Sequence, residues 1–132
     1  MRYEEWDAGV PDQVKGEAMW KFFGYRKALF LYDLCWKDCE TLLKHPLGKP
    51  VAQQLIRSVG SISANIEEGY GRGYSKDRLY FLRISIGSAR ESKGWYYRAK
   101  ELLSAEVIAH RLNLVGEVVA LLITELSASK RH

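Results

Sequence analysis

Four long stretches of the sequence repeat apolar residues every three or four positions, and this spacing limits the possible folds more than any other feature. The repeat is typical of helices with one apolar face. It predicts helices over residues 20–45, 50–69, 75–103 and 104–128, with Ser75 and Ser104 as N-caps of the last two. Only three prolines occur in the 132 residues, so long helices can run uninterrupted. The apolar face is wider than a coiled-coil seam, and we therefore expect an all-α fold consisting of a four-helix bundle.

The chain has the length of one domain, and we expect two parts within it. Residues 1–19 carry five acidic and two basic residues, a net charge of −3, and we expect them to form an irregular acidic arm that docks through Trp6. Residues 20–132 hold the four predicted helices. No uninterrupted run of about 20 apolar residues, the length needed to span a membrane, is present. The two cysteines do not resemble a secreted disulfide framework, so we expect a cytoplasmic protein without membrane contact.

The predicted fourth helix carries two apolar stripes instead of one. The first stripe, which we expect to face the core, contains Ile108, Leu112, Val115, Val119, Leu122 and Leu126. Because a bundle helix normally buries one face, the second stripe predicts a further burial partner. The predicted first helix has a weaker second stripe of two phenylalanines. We therefore predict a homo-oligomer with an interface formed by Val107, Leu114, Val118, Leu121, Phe23 and Phe30.

Positive charge is concentrated in the predicted third helix. Residues 72–100 contain eight basic and two acidic residues, a net charge of +6 that exceeds the +4 of the whole chain. Regularly spaced cations suit contacts with nucleic-acid phosphates, and neighbouring tyrosines can stack on unpaired bases. The predicted phosphate contacts are Arg72, Lys76, Arg83, Arg90, Lys93 and Lys100, and the candidate stacking residues are Tyr70, Tyr74 and Tyr97. The alternative interpretation is a solvated face whose charge is balanced by the acidic arm.

Two blocks of ordered polar and glycine residues resemble one known family. Residues 61–72, SISANIEEGYGR, resemble the SI-x-x-NI-x-EG-x-x-R signature of bacterial four-helix-bundle proteins encoded in intervening sequences of the large-subunit ribosomal RNA. Phe81-Leu82-Arg83, followed by Gly87-Ser88 and Glu91, resembles a second pattern of that family. The resemblance covers about residues 25–126 and implies an antiparallel up-down-up-down bundle that forms a ring-like homopentamer. Related accessory variability determinants of diversity-generating retroelements bind nucleic acid and a reverse transcriptase, so the resemblance also implies partners of these kinds.

Four polar residues on the two predicted middle helices allow two interpretations. As buried groups on adjacent helices they predict a hydrogen-bond network that fixes the packing, and the alternative is a cation site. These residues are Asn65, Glu68, Ser88 and Glu91. Cys35 and Cys39 lack the further ligands that a zinc site needs, and the Glu-x-x-His pairs of di-iron bundles are missing. We therefore expect buried free thiols, no metal and no cofactor.

The sequence contains no recognisable catalytic motif, such as a nucleophile elbow or a phosphate-binding loop. We therefore predict a protein that is not an enzyme. The leading hypothesis is a nucleic-acid-binding accessory protein that acts as a homo-oligomer through sequence-tolerant contacts with RNA or DNA phosphates. The alternative is an oligomeric scaffold that recruits another protein, such as a reverse transcriptase, without direct contact with nucleic acid.

Overall fold

The computed structural model of the protein describes residues 1–131 and contains helices joined by short loops, with no strand in that range. The helices in chain order are α1 (Tyr3–Ala8), α2 (Asp12–Lys15), α3 (Phe23–Leu42), α4 (Gly48–Tyr70), α5 (Lys76–Arg98) and α6 (Ala105–Lys130). Two 3-10 turns, Ala18–Lys21 and Ala99–Glu101, precede α3 and follow α5. The prediction of an all-α fold is confirmed.

The four long helices lie where the apolar repeat predicts them, with shifts at their ends. The two predicted N-caps are confirmed, since Ser75 Oγ accepts a hydrogen bond from the Asp77 backbone N–H and Ser104 Oγ accepts one from that of Val107. The first long helix begins three residues later than predicted because Trp20 belongs to a 3-10 turn. The third ends at Arg98, where the chain changes to the second 3-10 turn before α6.

Each long helix packs against two of the others, through the pairs α3–α4, α4–α5, α5–α6 and α3–α6. Helices α4 and α5 run antiparallel and are held in register by buried serines. Ser92 Oγ donates to Ser58 Oγ at 3.0 Å, and Ser85 Oγ donates to the Ile62 carbonyl oxygen at 2.7 Å. Because serine is small, these positions let the two backbones approach closely while every buried hydroxyl among them keeps a partner.

Residues 1–22 contribute to the same hydrophobic core as the long helices. Trp6 and Trp20 are buried there, and Trp6 Nε1 donates to Asp33 Oδ2 on α3 at 2.6 Å. The ring of Tyr3 packs edge-on against Phe30, with the two centroids 5.6 Å apart. The expected docking of the acidic arm is therefore confirmed, but its expected irregular conformation is wrong over α1 and α2.

Three residues that we predicted at an oligomer interface are buried within the chain instead. Phe30, Leu114 and Val118 are almost inaccessible, so a second copy cannot contact them. For Phe30 and Leu114, residues 1–22 (the N-terminal segment) supply the additional burial partner, since Tyr3 lies with both around one shallow cleft. Val118 belongs to the hydrophobic core itself. Of the remaining predicted interface residues, Phe23 is partly exposed, and two further positions on α6, Val107 and Leu121, are half-buried.

The apolar surface that α6 presents at the outside is a different one. Its residues are Leu112, Val119 and Leu126, which we expected to face the core and which are half-buried against its margin, and Ile123, which is 45% exposed; these four define the outer face of α6. By length and composition, α6 is also the one helix within residues 1–131 that is apolar enough to cross a membrane, with a mean hydropathy of 1.6 in its most apolar window, of which 28% is buried. This composition arises because α6 combines a core face with an apolar outer face.

Candidate nucleic-acid interface

Exposed basic residues follow one side of α5. Lys76, Arg83, Arg90 and Lys93 are exposed, and none of them pairs with an acidic group within residues 1–131. These four residues define the basic face. The other two predicted phosphate contacts extend it, with Arg72 in the loop before α5 and Lys100 in the 3-10 turn after it, both exposed.

The acidic residues of α5 are neutralised by arginines from outside the helix. Asp77 lies 3.8 Å from Arg72 Nη1, and Glu91 lies 2.6 Å from Arg57 Nη2 on α4. Where the acidic residues of the N-terminal segment form ion pairs, their partners lie in that segment as well. The positive charge of the basic face is therefore neither cancelled by its own helix nor covered by the acidic segment, and it produces a field that attracts polyanions.

Exposed tyrosines accompany the basic face. Tyr74 and Tyr97 are exposed, as a stacking role requires, and Lys100 Nζ lies 4.2 Å from the centroid of the Tyr97 ring. Tyr80 is equally exposed and precedes Arg83 by one helical turn, although our sequence analysis did not single it out. The sequence feature that could have identified Tyr80 is its spacing of four residues from Lys76, which places both residues on one side of the helix.

Tyr70 is not accessible for base stacking. Its ring lies against Phe22, with 6.4 Å between centroids, and against the Arg78 guanidinium, with Cζ 4.1 Å from the ring centroid. Its hydroxyl donates to Glu125 Oε1 at 3.0 Å. Burial and this carboxylate raise the pKa of the Tyr70 hydroxyl. The stacking prediction for Tyr70 is therefore wrong, because tertiary contacts occupy the ring and the hydroxyl.

The helix backbone is bare in the middle of the basic face. Gly87 lies four residues after Arg83 and three before Arg90, and a Cβ at this position would meet no atom within 4 Å. A glycine inside a helix costs about 0.5–1 kcal/mol relative to alanine, and no packing contact within the chain requires one here. The glycine leaves the helix backbone open to solvent between the two arginines.

The four residues predicted as one polar network belong to two separate groups. Asn65 Nδ2 donates to Ser61 Oγ at 2.9 Å, and Ser88 Oγ donates to the same oxygen at 2.9 Å, so these residues join α4 to α5. Glu68 and Glu91 instead lie at the surface, where each pairs with an arginine. The network prediction is therefore wrong for the two glutamates, because their longer side chains reach exposed cations.

Comparison with known proteins identifies the family. Residues 24–124 match the sequence model of the 23S rRNA-intervening sequence protein family. The chain belongs to this family. A crystal structure at 1.70 Å resolution of a protein of unknown function from the S23 ribosomal protein family of Bacteroides thetaiotaomicron has a similar fold, with a TM-score of 0.73 and 24% identity. The similarity covers 78% of this chain and 97% of that one. Comparison with curated proteins gives no match.

In this 23S rRNA-intervening sequence protein, the residues that carry the family resemblance lie where α4 meets α5. Ile62 and Ile66 are fully buried. At Gly69, a Cβ would lie 3.4 Å from the Arg78 carbonyl oxygen, so the absence of a side chain lets α5 approach the end of α4. These residues of the signature therefore maintain helix packing, whereas the basic face points away from that contact.

One buried polar cluster of the family member was not predicted. Asp38 accepts hydrogen bonds from Tyr96 Oη at 2.7 Å and from Arg111, through Nε at 2.7 Å and Nη2 at 3.0 Å. Burial raises the pKa of Tyr96; burial by itself lowers the pKa of Arg111, but the hydrogen bond and charge of Asp38 raise it overall. The cluster is internally satisfied, which favours a structural role. Asp38 lies three positions after Cys35, but a charged residue type favours an exposed position, so no signal in the sequence indicated its burial.

The two cysteines are buried free thiols, as predicted. The Sγ atoms of Cys35 and Cys39 are 3.9 Å apart. The hydrogen bond with Cys39 and burial both raise the pKa of the Cys35 thiol, so this group stays protonated at neutral pH. Within residues 1–131, no group of three or more His, Cys, Asp and Glu side chains is arranged to hold a metal ion.

Proposed function

We propose that this protein is a non-enzymatic accessory protein that binds nucleic acid without a cofactor. The basic face carries the proposal, since it places four exposed cations without acidic partners from residues 1–131 along one side of α5. The family name also refers to an intervening sequence of ribosomal RNA. Lysine and arginine contacts with phosphates position a strand without reading its bases, so we expect sequence-tolerant binding. Tyr80 and Tyr97 add stacking on unpaired bases.

Fluorescence anisotropy with short labelled RNA and DNA across a salt series tests this function. Phosphate contacts make the logarithm of the binding constant fall linearly with the logarithm of the salt concentration, and the slope counts the contacts. We expect the double variant Arg83→Glu, Arg90→Glu to lose binding even at about 50 mM salt. The matched control Lys37→Glu, Lys44→Glu makes the same change in net charge at exposed positions in and just after α3.

The control separates the basic face from the charge of the whole chain. If both double variants lose affinity equally, binding depends on net charge and the basic face is not the site. If the wild-type protein binds neither RNA nor DNA at low salt, the nucleic-acid function is wrong. If the control keeps its binding while Arg83→Glu, Arg90→Glu loses it, the interface lies on α5.

We further propose that the four long helices form an antiparallel up-down-up-down four-helix bundle and that copies of it assemble through the outer face of α6. The closed set of pairwise helix contacts supports the bundle, and the exposure of Ile123 supports the interface. The family resemblance implies a ring-like homopentamer. A ring would repeat the basic face around its axis and so increase the avidity for a long polyanion.

The second candidate function is a scaffold that recruits a protein partner, for which the resemblance implies a reverse transcriptase. It is favoured by Trp36 on α3, which is 58% exposed, and Leu43, seven residues later and just after α3, which line an apolar cleft together with Ile56 on α4. Tryptophan is enriched among the residues that dominate interface energies. For the scaffold function, Trp36→Ala should abolish capture of the reverse transcriptase without changing affinity for RNA. The nucleic-acid function also predicts no change in RNA affinity for Trp36→Ala, but it predicts a loss of RNA affinity for Arg83→Glu, Arg90→Glu.

A further inference from the structure

Arg78 is a basic residue of α5 whose guanidinium the chain leaves unsatisfied. It is the third residue of the helix and only 5% exposed. Its Cζ lies 4.1 Å from the ring centroid of Tyr70 and 4.1 Å from that of Tyr74. Its Nε and Nη1 atoms are buried and have no hydrogen-bond partner within residues 1–131. The stacking with the two rings fixes the guanidinium, but two of its donor atoms remain unused.

Acidic groups that contact the neighbours of Arg78 are already engaged. Asp77 pairs with Arg72, and Glu125 accepts the hydrogen bond of the Tyr70 hydroxyl. A buried guanidinium with unused donors is energetically unfavourable unless a hydrogen-bond acceptor satisfies them, and its positive charge favours an anionic acceptor. A phosphate suits this position, because its oxygens can accept charge-assisted hydrogen bonds from the guanidinium N–H groups. Arg72 already pairs with Glu68 and Asp77 at the same turn, so Arg78 is the cation there that has no acidic partner within residues 1–131.

We propose that Arg78 binds one phosphate of a nucleic-acid strand at the turn between α4 and α5, and that the ring of Tyr74 moves to admit it. This inference rests on the proposed function, because it names the residue that holds the strand at one end of the basic face. The Tyr74 ring lies on the solvent side of the guanidinium, since it is 58% exposed. Once displaced, the Tyr74 ring stacks on the base next to the bound phosphate.

The substitution Arg78→Lys tests the proposal, because it keeps the charge and removes the planar arrangement of donors. Its matched control is Arg98→Lys on the same helix, where the guanidinium stacks on Trp95 with Cζ 4.7 Å from the ring centroid but is exposed. For a labelled oligouridylate of about ten nucleotides, we expect at least about tenfold weaker binding by Arg78→Lys, the effect of losing one charge-assisted hydrogen bond. We expect less than about a twofold change for Arg98→Lys. Thermal unfolding of both variants checks that they are folded.

The Nε–H resonance of Arg78 in the wild-type protein gives a readout that needs no substitution. We expect oligouridylate to shift this resonance and slow its exchange with water at concentrations at which inorganic phosphate has no effect. A response to inorganic phosphate but not to oligouridylate would assign the site to a free anion and overturn the proposal. No response to either probe would make Arg78 a packing residue and would also overturn it.

The failure of this inference is distinguishable from the failure of the proposed function. If Arg83→Glu, Arg90→Glu loses binding while folded Arg78→Lys binds like the wild type, the basic face remains the interface and Arg78 is not its phosphate site. If the wild-type protein binds no oligonucleotide, both proposals are wrong.

Discussion

Asp38 and Arg111 form the most buried ion pair within residues 1–131, with two hydrogen bonds between carboxylate and guanidinium. Removing one partner leaves an uncompensated buried charge, which costs about 3–5 kcal/mol. We expect Asp38→Ala to lower the free energy of unfolding by about 3 kcal/mol in urea titrations. Glu40→Ala, at an exposed position of the same helix, should change it by less than about 0.5 kcal/mol. Equal stability of the two variants would contradict a structural role for the pair.

Three tyrosine hydroxyls determine how the free energy of unfolding changes at high pH. Burial is the largest cause that raises the pKa of Tyr25, Tyr70 and Tyr96 above the ordinary value of 10.0, and a hydrogen-bonded carboxylate raises each of them further. Above that pH the unfolded chain loses these protons while the folded chain keeps them, so the free energy of unfolding falls as the pH rises. Urea unfolding between about pH 8 and pH 11 measures this fall. The fall in the free energy of unfolding should be shallower in Tyr96→Phe and unchanged in Tyr97→Phe, which removes an exposed hydroxyl. Equal slopes in both variants would contradict the link between the fall and the buried tyrosines.

At this scale, local spacing predicts some side-chain environments and misses others. The burial of Cys35 and Cys39 was predictable because both lie within the apolar stripe of one helix. Asp38 and Arg78 were not, because charged residues are usually exposed and residue type alone places them at the surface. Their burial depends on partners from other elements: Arg111, for example, is 73 residues from Asp38 in the sequence. No pattern within one helix contains that information.

At the scale of helices, two glycines differ in whether a side chain would be tightly packed or would lie open at the surface. At Gly48, a Cβ would overlap the carbonyl oxygen of Leu42, where the chain passes from α3 to α4. At Gly87 the same atom would enter open space. We therefore expect Gly48→Ala to lower the melting temperature, and Gly87→Ala to stabilise the protein by about 0.5–1 kcal/mol through its higher helix propensity. Thermal and urea unfolding of the two variants measure these effects, and a stabilised Gly48→Ala would contradict the close approach.

The same substitution at two positions of α6 should have opposite consequences. Val118 is fully buried, so Val118→Glu places an unpaired charge in the core and should prevent stable folding. Ile123 lies on the outer face of α6, so Ile123→Glu should leave the melting temperature within a few degrees of the wild type. If this face is the interface, Ile123→Glu also reduces the native mass, measured by light scattering, to the 15.2 kDa of one chain. A wild-type native mass of one chain would refute self-association.

The long helices could be predicted from sequence because the apolar repeat and the serine caps are local signals. Helices α1 and α2 could not, since they have six and four residues and helices this short are unstable without tertiary contacts. The same missing information led to the wrong prediction that Phe30 lies at an interface between copies. The second apolar stripe does need a burial partner, but Tyr3 in α1 provides it for Phe30, and no repeat in the sequence indicates that contact.

At the scale of the whole molecule, the N-terminal segment predicts a strong effect of truncation. It contributes Trp6, Met19, Trp20 and Phe22 to the hydrophobic core. We expect removal of residues 1–22 to lower the melting temperature and to cause aggregation, because Phe30 loses its cover. The control Glu4→Gln, Glu5→Gln removes two exposed charges and keeps every aromatic contact, so it should melt like the wild type. A truncated chain with the wild-type melting temperature would show that the segment is dispensable for folding.

The opposite sides of α5 are subject to different constraints. One side packs on α4 through buried serines and a glycine contact, and a change there disturbs the fold. The outward side makes no contact that the core depends on, so its lysines and arginines can be replaced without unpacking the helices. This separation makes the helix evolvable: substitutions can accumulate along the outward side while the packed side preserves the scaffold. For protein engineering, it is the side on which new binding specificities can be introduced at little cost in stability.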